Sequence, residues 1–67
     1  MDQQLIHIEQ QLSFLITEIQ QELHDVQNNI NLYPRGTAPR NLLDLQRYYE
    51  QLLVLATAVR NQILILM

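Results

Sequence analysis

Apolar residues in the second half of the chain recur at alternating steps of three and four residues, without a break from residue 42 to residue 66. Residues at this spacing share one face of an α-helix, and a face of this length is typical of a helix that packs against another helix. The members are Leu42, Leu45, Tyr49, Leu52, Ala56, Val59, Ile63 and Leu66. The spacing predicts a single helix over about residues 39–66.

A comparable series occupies the first half of the chain. Its members are Leu5, Ile8, Leu12, Leu15, Ile19, Leu23, Val26, Ile30 and Tyr33. Two steps of four occur in succession around Ile19, and such a stutter relaxes the supercoil of a heptad helix. The spacing predicts a first helix over about residues 3–32, straighter near its middle than the second helix. Asp2 is the expected N-cap of this helix, because its carboxylate can accept a bond from an unpaired backbone amide.

Two prolines and the only glycine separate these two series. Pro34 disfavours helical backbone at the preceding residue and has no backbone N–H to donate to a hydrogen bond. Gly36 can adopt a positive φ. We therefore expect a loop over residues 33–38, with Thr37, or less favourably Ala38, as the cap of the second helix. A connection of about six residues makes the two helices antiparallel neighbours. The predicted fold is all-α: one helical-hairpin domain spanning residues 1–67.

The chain has 67 residues and no cysteine. A single core of this size rarely contributes more than about 3–5 kcal/mol, so small domains usually add disulfides, a metal or a partner subunit. The absence of cysteine excludes disulfides and thiolate metal sites. The expected remedy is self-association of two hairpins into a homodimeric four-helix bundle, with a higher oligomer left open.

The residues that would form this self-association interface are the apolar residues of both helices that flank or belong to the two series. They are Leu12, Ile16, Ile19, Leu45, Tyr48, Tyr49, Leu52, Leu55, Ala56, Val59, Ile63 and Leu66. A second set combines aromatic and arginine side chains, which are enriched at binding hot spots. We expect this set to contact a different protein: Phe14, Tyr33, Arg35, Arg40 and Arg47.

The formal net charge is −3, from seven acidic residues against four basic residues, all of which are arginines. Nucleic acids and anionic membranes require cationic surfaces, so this balance disfavours both as partners. The arginines all lie in the second half of the chain. An antiparallel hairpin would consequently place Arg60 near Glu9, and Arg47 near Glu22 or Asp25.

Signatures of catalysis and of membrane insertion are missing from the sequence. The longest apolar runs, such as residues 52–56, are far shorter than the roughly 20 residues that cross a bilayer. One glycine cannot form a phosphate-binding loop, and neither His7 nor His24 belongs to the Glu-x-x-His pairs of di-iron bundles. We expect no enzyme activity, no cofactor, no metal, no membrane span and a cytoplasmic location.

These observations favour a non-enzymatic protein–protein interaction module, acting as an adaptor, assembly factor or small regulator. Two alternatives remain open. The apolar tail at residues 63–67 would also suit an N-terminal oligomerisation or docking domain of a longer protein. Arg35, Arg40 and Arg47 beside tyrosines would suit a small nucleic-acid-binding regulator, for which small RNA-binding hairpins offer only a fold-level analogy.

Overall fold

The computed structural model describes residues 2–67 and consists of two α-helices, α1 (Gln3–Asn31) and α2 (Arg40–Leu66). The two helices pack against each other along their length, and the molecule measures 51 × 14 × 13 Å. The described residues contain no β-strand. The predicted all-α hairpin is confirmed, and the helix boundaries agree with the predicted ones to within one residue.

The N-terminus of α1 is capped as the sequence predicts. The Asp2 side chain accepts a hydrogen bond of 2.9 Å from the backbone amide of Gln4. This bond satisfies one of the four amides that lack a partner at the start of any α-helix. At the other end, the backbone amides of Leu32 and Tyr33 donate to carbonyls of the preceding turn, those of Asn29 and Ile30 respectively.

The loop turns at Gly36, whose φ of +82° confirms the expectation of a positive φ at this glycine. The predicted cap of α2 is wrong. The Thr37 hydroxyl donates to the carbonyl of Pro34 at 2.6 Å and so closes the turn around Gly36. The N-cap is Pro39, whose carbonyl accepts from the amides of Leu42 and Leu43. Proline offers no polar side chain, so α2 begins without a side-chain cap.

The face of α1 that packs on α2 differs from the predicted one. Ile16 is only 8% exposed, whereas Leu15 is 44% exposed. Eight buried or half-buried residues recur at alternating steps of four and three, and we call them the inner stripe of α1: Leu5, Glu9, Leu12, Ile16, Ile19, Leu23, Val26 and Ile30. Ile6, Ser13 and Gln27, each next to a member of this stripe, are half-buried as well. The predicted stutter is wrong for this stripe, because it arose from counting the half-exposed Ile8 and Leu15 in place of Glu9 and Ile16.

The inner stripe of α2 is displaced in the same way. Its members are Leu42, Gln46, Tyr49, Leu53, Ala56, Arg60 and Ile63. Leu45 and Val59, both assigned to the seam by their hydrophobicity, are instead exposed. Gln46 and Arg60 occupy the corresponding inner positions, so hydrophobicity alone identified the period of the packing but not its phase.

The centre of the hairpin is a small cluster of buried residues. Ile16, Ile19 and Ala56 are buried there, and half-buried Tyr49 and Leu53 pack around them. Only four hydrophobic side chains among the described residues are buried, the fourth being Val26, and each keeps between 4% and 8% of its surface exposed. Two helices can each cover one stripe of the other, so most of the remaining apolar surface stays in contact with water.

The first prediction tests this core. Replacing Ile19, which is 4% exposed, with alanine should lower the free energy of unfolding by about 2–5 kcal/mol, because it removes buried methyl groups and leaves a cavity. Leu32→Ala is the control; Leu32 is 81% exposed, and the change should stay within about 0.5 kcal/mol. Urea unfolding followed by circular dichroism measures both. An equal decrease in the free energy of unfolding of the two variants would contradict the described core.

Candidate interaction surface

A second series of residues runs along α2 on the side next to the inner stripe. We call it the outer stripe: Leu45, Tyr48, Leu52, Leu55, Val59, Gln62 and Leu66. It also has alternating steps of three and four, with one polar member, Gln62. Leu55 is 63% exposed and Leu66 is 69% exposed, while Leu52 is half-buried against the core. Thus α2 carries two complete heptad stripes, of which the hairpin covers one.

Helix α1 adds two residues to the same side of the hairpin. Ile8 and Leu15 each precede an inner-stripe residue by one position, as Leu45, Leu52 and Val59 do on α2. Because the helices run in opposite directions, residues at the same offset from the inner stripes come to the same side of the hairpin. Ile8 and Leu15 are 43% and 44% exposed. Together with the outer stripe they form what we call the apolar face.

The opposite side of the hairpin is polar along its middle. Its residues follow the inner stripes by one position, and they include Ser13, Gln20 and Gln27 of α1 and Glu50 and Thr57 of α2. Val54 is the one apolar residue in the middle of this side. The other apolar residues lie towards its two ends, at Ile6, Leu43 and Leu64. The hairpin as a whole is therefore amphipathic, with one apolar face that no other part of the described chain covers.

The structure divides the predicted self-association residues into two groups. Six of them belong to the inner stripes, where they stabilise the hairpin and offer little surface: Leu12, Ile16, Ile19, Tyr49, Ala56 and Ile63. The other six lie on the outer stripe: Leu45, Tyr48, Leu52, Leu55, Val59 and Leu66. Sequence reasoning missed Ile8 and Leu15 as surface residues because it had assigned both to the inner seam.

The predicted partner-binding residues are not brought together. Tyr33 and Arg35 line a cleft of about 330 Å³ at the loop. Phe14 is 69% exposed on the outer side of α1, roughly 28 Å from Tyr33 along the helix axis at 1.5 Å per residue. Arg40 Nε lies 4.0 Å from Asp44 Oδ2 on the exposed surface of α2. An exposed ion pair of this kind contributes little to stability.

One of the two predicted inter-helix ion pairs forms. Arg60 Nε donates to Glu9 Oε1 at 3.0 Å, as expected. Arg47 makes no ion pair within residues 2–67, so its predicted contact with Glu22 or Asp25 is wrong. The reason is the phase of the inner stripes: Glu22 lies on the side of the apolar face, whereas Arg47 lies on the polar side.

The Glu9–Arg60 pair lies within the inner stripes. Glu9 Oε1 also accepts a hydrogen bond of 2.7 Å from the Ser13 hydroxyl. The Glu9 side chain is 17% exposed and that of Arg60 is 39% exposed. The Ser13 hydroxyl, and after it the Arg60 guanidinium, lower the pKa of Glu9 below its ordinary value of 4.5, because both stabilise the charged carboxylate.

Residues 2–67 show neither a membrane-spanning helix nor a metal-binding cluster. Between residues 2 and 67, no helix has the length and hydropathy of a membrane-spanning segment. Nor do three or more histidine, aspartate or glutamate side chains of these residues converge as metal ligands would. Comparison with protein-family models, curated proteins and solved structures found no match for this chain. The apolar face is consequently the feature on which a functional argument can be built.

The second prediction concerns Glu9 and pH. A carboxyl group whose pKa is lowered by folding stabilises the folded state above its unfolded pKa, and this contribution is lost as the pH falls through the folded pKa. We therefore expect the free energy of unfolding to decrease as the pH falls below about 4.5, the ordinary pKa of this carboxyl group. Urea titrations at a series of pH values measure the decrease.

Glu9→Gln is the matched variant for this experiment, since it keeps the shape of the side chain and removes its charge. The decrease below the ordinary carboxyl range should be smaller in this variant than in the parent chain. An identical pH dependence of the two proteins would show that Glu9 makes no such contribution.

Proposed function

We propose that this chain is a non-enzymatic protein–protein interaction module, and that two hairpins associate through their apolar faces into a homodimeric four-helix bundle. The observation that carries the proposal is the outer stripe. A heptad stripe fits the side of another helix, and the only other helix in the hairpin already occupies the inner stripe. A second copy would supply the missing helix.

The balance of buried and exposed side chains supports association. Four hydrophobic residues of the described chain are buried, whereas fifteen large hydrophobic residues are exposed. Contiguous exposed apolar patches larger than a few hundred Å² are typical of interaction sites. The apolar face meets this description, because its members adjoin one another along most of α2.

The dimensions of the face suit an interface of ordinary size. At 1.5 Å per residue, α2 is about 40 Å long, and the hairpin is 14 Å across in its second dimension. A stable interface removes about 800 Å² of accessible surface from each partner. A corrugated face with these dimensions provides an area of this order. The outer stripe that runs along it carries no charge, as is usual at the centre of an interface.

Association through the apolar face would leave other surfaces accessible. The loop cleft with Tyr33 and Arg35 lies at one end of the hairpin, and Phe14 lies on the outer side of α1. A dimer would present two copies of each of these features. This arrangement supports a role as an adaptor, assembly factor or small regulator that binds another protein while it remains self-associated.

The third prediction tests self-association directly. Multi-angle light scattering at micromolar concentration should give about twice the chain mass of 7.9 kDa. Leu55→Glu should reduce the mass to that of one chain, because it places a charge in the middle of the outer stripe. The far-ultraviolet circular dichroism of this variant should remain helical, since Leu55 is 63% exposed in the hairpin.

Val54→Glu is the control for the added charge. Val54 is adjacent in sequence and 69% exposed, but it lies outside the apolar face, so this variant should keep the dimer mass. A parent chain that scatters as a monomer would refute the proposed dimer. Dissociation of both variants would show that the apolar face has no special role.

A further inference from the structure

Resting on the proposed self-association, we propose that the α2 helices of two copies lie antiparallel across each other at the centre of the assembly. The two-fold axis would pass between residues 53 and 54. Leu52 then meets the partner's Leu55, and Tyr48 meets the partner's Val59. The two α1 helices lie outside this central pair. The outer stripe of each copy would thus bind the outer stripe of the other copy in a defined register.

The register follows from the two kinds of position in the outer stripe. Leu45, Leu52, Val59 and Leu66 form one set at steps of seven, and Tyr48, Leu55 and Gln62 form the other. When two heptad helices pack antiparallel, each layer combines a residue of one set with a residue of the other set from the partner. Few registers of two identical stripes satisfy this condition, and neighbouring registers differ by a whole heptad.

Helix length selects one register among them. Helix α2 extends from residue 40 to residue 66, so two antiparallel copies overlap most completely when the axis passes close to residue 53. The layers of Leu52 with Leu55, Tyr48 with Val59, and Leu45 with Gln62 have their axis between residues 53 and 54. A shift by one heptad displaces the helices by about 10 Å and leaves Leu45 or Leu66 without a partner residue.

The charges beside the outer stripe favour the antiparallel direction. On the exposed flank of this stripe lie Asp44, Gln51, Ala58 and Ile65, so Asp44 is the only charged residue. A parallel pair would bring both Asp44 carboxylates to the same end of the central pair, and like charges repel. In the antiparallel pair, Asp44 lies near the partner's Ile65 at the end of the helix. The opposed helix dipoles also favour this direction.

The acidic side of α1 explains why α2 would be central. Glu18, Glu22 and Asp25 lie on or beside the apolar face in the half of α1 nearer the loop. A central pair of α1 helices would bury these carboxylates against a partner helix that contains no arginine. A central pair of α2 helices instead leaves them at the rim in contact with water, and Ile8 and Leu15 border the central contact.

The absence of cysteine from the chain allows a spin label to be attached at a single chosen position. Gln51→Cys and Arg40→Cys place labels near the proposed axis and far from it. In the proposed register the two Gln51 positions are offset along the helix axis by about 8 Å, and the two Arg40 positions by about 40 Å. Pulsed electron–electron double resonance measures the distance between the two spin labels of a dimer. This distance should be short for the Gln51→Cys variant and long for the Arg40→Cys variant.

Light scattering on the same labelled samples distinguishes a failure of self-association from a failure of the proposed helix arrangement. A dimer mass with short distances at both positions would mean parallel helices and would overturn the proposed geometry alone. A dimer mass with a long distance at position 51 would place α2 away from the axis and overturn it as well. A monomer mass would overturn the self-association and the geometry together. Leu55→Glu in the labelled chain should abolish the dipolar signal.

Discussion

The hairpin depends on the packing of the inner stripe of α1 against the inner stripe of α2. Ile16 and Ile19 of α1 meet Ala56 of α2 at the centre of this contact, where the small alanine allows the helices to approach closely. Three of the four buried hydrophobic residues of the described chain lie in this contact. Since a pair of helices has no third layer, any further hydrophobic surface on either helix must remain exposed or be covered by another molecule.

Helix α2 is therefore the element that connects fold and proposed function. Its inner stripe contains Gln46 and Arg60, and its outer stripe is almost wholly apolar. If burial inside the hairpin were the only requirement on the sequence, the more hydrophobic stripe would be expected to face α1. The observed distribution is the reverse, which supports the view that the outer stripe has its own partner.

Much of the fold could be predicted from the sequence, because it depends on local signals. Helix lengths follow from the heptad spacing, the turn follows from Pro34 and Gly36, and the cap of α1 follows from Asp2. The phase of the packing could not be predicted, because it depends on a contact between distant residues. The sequence predicted the pairing of Glu9 with Arg60, but it did not show that both residues belong to the inner stripes. Once both are assigned to the inner stripes, Ile8, Leu15, Leu45 and Val59 move to the surface.

The same reasoning applies to the candidate interaction surface. Its residues were mostly named from the sequence, yet they were mixed with residues that the hairpin buries for itself. Separating Leu55 and Val59 from Ala56 and Ile63 requires knowledge of which side of α2 faces α1. The loop arginines show the converse limit: the sequence grouped Arg35, Arg40 and Arg47, whereas in the structure Arg35 lines the loop cleft and the other two lie seven residues apart on the exposed surface of α2.

The two helices also differ in how they begin. Asp2 holds an amide of α1, whereas Pro39 gives α2 no side-chain acceptor, and the amides of Arg40 and Asn41 donate to no acceptor within residues 2–67. The first turn of α2 is therefore exposed to solvent, and its local opening requires little free energy. Fraying should accordingly begin beside the loop, where amide protons would exchange with solvent sooner than those at the start of α1. An acidic group from another molecule, placed at this turn, would slow that exchange by accepting hydrogen bonds from the two amides.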